Sequence, residues 1–243
     1  MAAAGLAPLG FAAAGFAFAP YRLSGTVLGV LLNHTSALAA LGDAVNAAPY
    51  KAPPKAPVLF VKPRNTLAPA GSACEVPPGV EALQIGANLG VVIGRAACRV
   101  AVSDALAFVA GYAIVADLSV PHQSFYRPSV RFKALDGSCV VGAPVARAAV
   151  ADPDALAVRV FVDGELVQRT DTAQRVRPLA RLLADITDFM TLAAGDVVLL
   201  GASHGAPLAR AGQRVAIEVE GLGRLSFGLA AAAAHDHPME PHA

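Results

Sequence analysis

Residues Leu83 to Gly94 form a β-like run in which the two positions best spaced for metal chemistry carry no carboxylate. Gly86 and Asn88 lie two apart, so both face one side of a strand. A Glu-x-Glu pair there would set two carboxylates side by side, the oxygen donors that Mg²⁺ prefers. Here one position has no side chain and the other a neutral amide, while Asp117, in the run Gly111 to Ser119, keeps its charge. Whether the chain can carry out metal-assisted chemistry by itself turns on that deficit. Cys74, Cys98 and Cys139 are odd in number and share no metal-like spacing. They read as small buried apolar residues in the reducing cytosol, which places the chain in the cytoplasm.

The elements that must position these residues are mostly strands. Gly25 to Leu32 is β-rich, and Ser36 is placed to cap a helix through Leu41. Ala48 to Pro57 reads as an extended connector, Val58 to Lys62 as a strand closed by Pro63, and Leu67 to Pro78 as loop. Ser103 is placed to cap a short helix through Val109, and Gly111 opens a strand that ends at Asp117. His122 to Gly137 is a long loop containing Phe125-Tyr126-Arg127-Pro128 and Arg131-Phe132-Lys133. Loops of that length in compact domains tend to carry function. Asp163-Gly164-Glu165 is a hairpin signal between Ala157 to Val162 and Leu166 to Thr170. Pro178 suits the first turn of a helix whose Leu179, Leu182, Leu183, Ile186, Phe189 and Met190 share one face. Strands follow at Val197 to Leu200, Val215 to Val219 and Leu225 to Leu229. Strands outnumber helices without alternating with them, which predicts a strand-rich α+β fold rather than a doubly wound sheet.

A chain of 243 residues fits one large domain with a small lead-in segment. Its 19 Lys plus Arg nearly cancel 18 Asp plus Glu, which argues against a nucleic-acid or anionic-membrane partner. Arg169, Arg175, Arg177 and Arg181 read as a solvated face or a subunit contact. Residues Ala2 to Tyr21 carry no charge, but Gly and Pro interrupt them and no basic residue precedes them. Residues 1–20 are therefore expected to be a poorly ordered extension, not a signal peptide or membrane span, with a domain over 21–229. Residues 230–243 read as a disordered tail, its histidines belonging to a frayed end rather than a metal site.

The order of motifs resembles the fumarylacetoacetate hydrolase family. The resemblance rests on Pro57-Val58-Leu59-Phe60-Val61-Lys62-Pro63, on Val91-Val92-Ile93-Gly94-Arg95 and on Gly111-Tyr112 leading to Asp117. Lys133 with Asp136, Phe161 to Glu165, Phe189-Met190-Thr191-Leu192 and Gly195 to Gly201 continue it. Within the family, Tyr21 to Val27, Tyr50 to Pro57 and Asp117 to His122 are most similar to one branch. That branch is the N-terminal half, or separate first subunit, of the bifunctional isomerase/decarboxylases of 4-hydroxyphenylacetate (homoprotocatechuate) degradation. The resemblance implies a mixed β-roll or sandwich with flanking short helices, and a homologous sister subunit or homodimer. It also implies a small dicarboxylate or 2-oxo acid substrate.

The resemblance further implies Mg²⁺, which chelates a 2-oxo acid and stabilises the enolate left by decarboxylation or proton transfer. The family's Glu-x-Glu and later Asp fall on Gly86, Asn88 and Asp117. Asp117 thus reads as a remnant ligand or as a polar residue satisfying the Ser119 loop backbone, and Mg²⁺ is expected to be weak or absent in this chain. Glu81 is the nearest acid to the strand but reads as pointing into a loop. Lys133 matches a family lysine beside the substrate and reads as a carboxylate clamp or as a surface lysine next to Asp136. His122 and His204 border the family's cleft, as acid/base groups, substrate hydrogen-bonders or ordinary loop histidines. Ser203 and Gly205 sit in a turn similar to the family's cleft turn, where backbone N–H groups could meet a carboxylate. Three readings stay open: a subunit whose sister chain holds the intact metal site, a metal-free enol–keto isomerase, and a non-catalytic dicarboxylate-binding module.

Overall fold

β-Branched and apolar residues recur in short runs punctuated by Gly and Pro, and the computed structural model turns most of these runs into strands. It describes residues 25–122 and 129–232. The expected 1–20 extension, the Phe125-Tyr126-Arg127-Pro128 stretch and the tail beyond residue 232 lie outside the described residues. In chain order come β1 (Val27–Leu31), α1 (Thr35–Ala39), β2 (Val58–Lys62), β3 (Leu67–Pro69), β4 (Ala73–Val76), β5 (Leu83–Ile93) and β6 (Val109–Ser119). Then follow α2 (Val130–Lys133), β7 (Cys139–Val141), β8 (Val145–Ala146), β9 (Ala157–Val162), β10 (Glu165–Asp171) and α3 (Leu179–Thr187). The last are β11 (Val197–Leu199), β12 (Leu208–Ala209), β13 (Arg214–Val219) and β14 (Gly223–Ala231).

Two mixed sheets result. A nine-stranded sheet runs β2-β1-β11-β5-β6-β7-β3, with β12 added to β5 and β8 to β6; a five-stranded sheet runs β10-β9-β13-β14-β4. The pairs β1/β11, β3/β7 and β4/β14 are parallel and the others antiparallel. The long central strands β5 and β6 are buried almost throughout, which is why they read as continuous apolar runs rather than alternating ones. One face of this sheet joins the second sheet and the Leu179, Leu182, Leu183 and Ile186 stripe of α3 in the main core. The other face carries a smaller cluster that includes Val92, Val115 and Val197. Asp163 and Gly164 both take positive φ, as a two-residue hairpin turn requires.

Several expectations need correction. Ser36 does not cap α1; His34 does, its Nδ1 accepting from the Ser36 N–H at 3.2 Å. His34 stands just before the first helical residue, where a cap must sit, whereas Ser36 already lies within the helix. Ser103 caps nothing, because a 3-10 segment begins after Ala101. The stretch from Leu67 holds β3 and β4, which are too short to show alternation in sequence. Phe189 lies beyond the end of α3 and is exposed, so the apolar stripe stops at Ile186 and only Met190 adds to it. Cys74 and Cys139 are buried, and burial pushes their thiols up to about 11 and about 12. Cys98 is exposed. Arg175 and Arg177 are half-buried rather than solvated: Arg175 donates to the Gly201 and Leu200 carbonyls, and Arg177 to Asp185 and the Pro54 and Lys55 carbonyls.

Candidate functional site

The antiparallel register of β5 and β6 sets Gly86 directly opposite Asp117, with Asn88 two residues along on the same face. The strand ends thus bring the three positions together at the floor of a cleft of about 610 Å³. A Cβ on Gly86 would sit 2.8 Å from the Asp117 carbonyl oxygen, so no side chain fits there with the strands this close. Asn88 is buried and points its amide across the floor. Its Oδ1 accepts from the Gly201 N–H at 2.8 Å, and its Nδ2 donates to the Gly86 carbonyl at 3.3 Å. Gly201 takes a positive φ, and a Cβ there would meet the Val30 carbonyl oxygen at 2.7 Å. The bond from Asn88 therefore pins the start of the turn that forms one wall.

Asp117 is held between two ammonium groups. Lys62 ends β2, and Pro63 stops the strand so that the side chain turns inward. Its Nζ donates to Leu118 O at 3.2 Å, Lys133 O at 2.6 Å and Ser138 Oγ at 3.0 Å. It also lies 3.0 Å from Asp117 Oδ1, an ion pair off the hydrogen-bond direction. Lys133 closes the single turn of α2, whose Ser129 carbonyl accepts from the Phe132 and Lys133 N–H groups. Its Nζ donates to Asp117 Oδ2 at 2.6 Å and lies 4.4 Å from the centroid of the Phe60 ring. Burial would raise the Asp117 carboxyl, but Lys133 and then Lys62 hold it below the usual carboxylate range. Burial pulls the Lys133 ammonium below the usual lysine range against the opposing pull of Asp117, and Lys62 adds to the lowering. The Asp117 direction is that of a locally positive field, and the Lys133 direction is that of burial.

The other expected site residues meet at the same cleft. His122 follows β6; its Nδ1 donates to the Val120 carbonyl at 2.9 Å and its ring stacks on Phe132 at 5.1 Å. With Nδ1 as donor, the neutral ring presents Nε2 as an acceptor. Ser203, His204 and Gly205 form the rim. His204 is exposed, and its backbone N–H donates to Ser36 Oγ at 3.0 Å. Gln168 of β10 donates to Ser203 Oγ at 3.3 Å and to the Gly205 carbonyl at 3.1 Å, fixing the rim to the second sheet. Glu81 is exposed and paired with Arg210, away from the floor. Sequence reasoning gave no role to Lys62 or to the link from Arg175 to Gly201. The signal for Lys62 was present: a lone lysine ending the apolar run Val58 to Val61 has to be placed somewhere.

The chain belongs to the fumarylacetoacetate hydrolase family: the family model described as Fumarylacetoacetate (FAA) hydrolase C-terminal matches residues 26–229. It is 39% identical over 199 residues to the 4-hydroxyphenylacetate degradation bifunctional isomerase/decarboxylase of Escherichia coli, covering 82% of this chain and 46% of that protein. The chain thus spans about half the length of the bifunctional relatives it matches. A second relative is the mitochondrial oxaloacetate tautomerase FAHD1 of Oryza sativa subsp. japonica, 33% identical over 209 residues, 83% of this chain and 87% of the relative. Among solved structures, fumarylpyruvate hydrolase from Pseudomonas aeruginosa in complex with Mn²⁺ and pyruvate superposes with a TM-score of 0.73 at 26% identity. That match covers 85% of this chain and 90% of that one.

The strand-rich mixed architecture with few short helices is that of the family. Among the described residues no group of three or more His, Cys, Asp or Glu gathers, and no helix is long and apolar enough to cross a membrane. As arranged, the floor does not fit a hard divalent cation. Gly86 offers no side-chain oxygen and its carbonyl accepts from Asn88 Nδ2, the Asn88 oxygen accepts a backbone N–H, and both Asp117 oxygens face ammonium groups.

Proposed function

We propose that this chain is a subunit, of the N-terminal-half type, of a bifunctional isomerase/decarboxylase of 4-hydroxyphenylacetate degradation. Its two reactions are the decarboxylation of 5-oxopent-3-ene-1,2,5-tricarboxylate and the isomerisation of 2-hydroxyhepta-2,4-diene-1,7-dioate. The metal site of this chain is degenerate, and a homologous sister chain with an intact Glu-x-Glu supplies the Mg²⁺-binding centre. The domain spans residues 21–229. The observation that carries the reading is that no side-chain carboxylate joins Asp117 at the Gly86 and Asn88 positions of the floor, while both Asp117 oxygens lie beside lysine ammonium groups.

In this cleft a small dicarboxylate or 2-oxo acid sets one carboxylate toward Lys133, with Ser203 and the Gly205 backbone offering further polar contacts. His122 and His204, both lining this cleft, take or give a proton at the enol oxygen or the adjacent carbon. The test is CO₂ release from the tricarboxylate with Mg²⁺. The chain mixed with its sister subunit turns over and the chain alone does not. Robust Mg²⁺-dependent decarboxylation by the pure chain overturns the proposal.

A second reading is a metal-free enol–keto tautomerase. It is favoured by His122 and Lys133 lining one cleft, and by the relative of comparable length named an oxaloacetate tautomerase. Tautomerisation needs one group to accept the enol proton and another to protonate carbon. This reading expects turnover that survives a chelator and is lost in His122→Ala. Saturable binding of the dicarboxylate without product, alone or with the sister chain, marks a binding module instead.

A further inference from the structure

The turn that walls the cleft is gripped from behind by a residue that does not line it. Gly201 opens this turn with φ 97°, the conformation of a residue with wide backbone freedom. Both peptide planes beside its Cα are nonetheless held by side chains. On the first plane, Asn88 Oδ1 accepts from the Gly201 N–H at 2.8 Å, and Asn33 Nδ2 donates to Leu200 O at 3.0 Å. On the second, Arg175 Nη1 donates to Gly201 O, and it also reaches Leu200 O at 3.4 Å. The backbone around Arg175 is itself fixed. Arg175 forms a bridge with His34, the Thr35 N–H donates to Gln174 O at 3.0 Å, and the Val176 N–H donates to Asn33 O at 2.8 Å.

A guanidinium costs more here than a neutral group would. Its described acceptors are two main-chain carbonyls, and its buried Nε meets none. Burial lowers it to about 10 against the pull of Asp154 and Asp171, so it stays charged at neutral pH. An amide can hold Leu200 O without taking a charge out of water, as Asn33 does. What the charge adds is a charge-assisted bond on Gly201 O, roughly twice as strong as a neutral one. In a trans peptide the C=O and N–H point opposite ways, so this bond turns the Ala202 N–H away from Arg175. It also sets the direction in which the chain leaves Gly201 for Ala202, Ser203, His204 and Gly205, all of which line the cleft. Ala202 reaches the floor: its Cβ would stand 3.5 Å from a Cβ on Gly86.

We infer that Arg175 is a positioning residue of the cleft, whose bond to the Gly201 carbonyl fixes the turn from Ala202 to Gly205 in the place from which it meets a ligand. The inference rests on the reading that this cleft receives a small acid. Arg175→Met in the full chain tests it, with amide hydrogen exchange and oxalate calorimetry as readouts. Exchange from Ala202 to Gly205 should quicken while β5 and β6 stay as in the unaltered chain. Oxalate should bind roughly tenfold more weakly or worse, the scale of a misplaced contact. Guanidinium ion at millimolar concentration refills the emptied space. It should restore affinity in Arg175→Met and leave the unaltered chain as it was. A purely structural residue gives another pattern, in which exchange quickens throughout and guanidinium restores nothing. That result overturns the inference, as does unchanged oxalate affinity. Should Arg175→Met fail to fold, Arg175→Gln takes its place, since the shorter amide cannot hold both carbonyls, and exchange and affinity are read in the same way. Oxalate that does not bind the unaltered chain overturns the acid-site reading, whereas the exchange pattern still decides whether Arg175 holds the turn.

Discussion

Two clusters in this molecule carry the same charges in the same order, cation, carboxylate, cation, on opposite sides of the water boundary. On the five-stranded sheet, Glu218 of β13 lies directly opposite Arg159 of β9 and Arg224 of β14, at 3.0 Å from each. Those side chains are 51%, 22% and 51% exposed for Arg159, Glu218 and Arg224. In the cleft, Lys62, Asp117 and Lys133 are 0%, 7% and 8% exposed. Water and salt screen the first cluster, so its extra positive charge has little consequence. The second has lost its hydration and must be satisfied by carbonyls, a hydroxyl and an aromatic face, and its extra charge remains a local field. Identical bookkeeping of charge thus gives a solvated cross-strand ladder in one place and the buried floor of a cleft in the other.

The comparison predicts a wide gap in stability. Lys62→Met leaves Asp117 half-compensated and three oxygens without their donor; a loss of about 3–5 kcal/mol is expected in urea unfolding. Asn88→Ala leaves the Gly201 N–H without its acceptor and should lose about 1–3 kcal/mol by the same measurement. A smaller, pH-dependent effect belongs to His34. Burial, then Arg175, lower its imidazole below the ordinary 6.5, with Asp171 opposing. As pH falls through 6.5 the unfolded chain takes up the proton first, so stability declines until the folded value is passed. Melting scans from pH 7.5 downward should show that decline, and His34→Asn, which keeps an N-cap acceptor, should remove it. Glu218→Ala, in the exposed cluster, should change stability by less than about 1 kcal/mol. Equal losses in Lys62→Met and Glu218→Ala would erase the contrast.

The strands β1, β2, β5, β6, β9, β13 and β14 were legible because each is either a long apolar run or bounded by Gly, Pro or Asp-Gly. β3, β7, β8 and β12 were not, since two or three residues cannot display a period and their pairing is decided by distant strands. In the site, Asp117, Lys133, His122, Ser203, His204 and Gly205 were named from motif order, and the fold gathers them at one cleft. What no spacing could reveal was the pairing itself: Lys62 and Lys133 are 71 residues apart, and their meeting at Asp117 depends on β2, α2 and β6 converging. Likewise Asn88 looked like a lost ligand, whereas its amide is occupied in holding Gly201.

The close approach at Gly86 limits what can replace it. Bare hydrogen at that position lets β5 draw in until its neighbour's carbonyl occupies the room a methylene would need. A glutamate at that position would first have to pry the two central strands apart, and the ammonium of Lys62 would still compete for Asp117 and repel an incoming cation. Gly86→Glu alone therefore cannot seat its side chain here unless β5 and β6 first move apart.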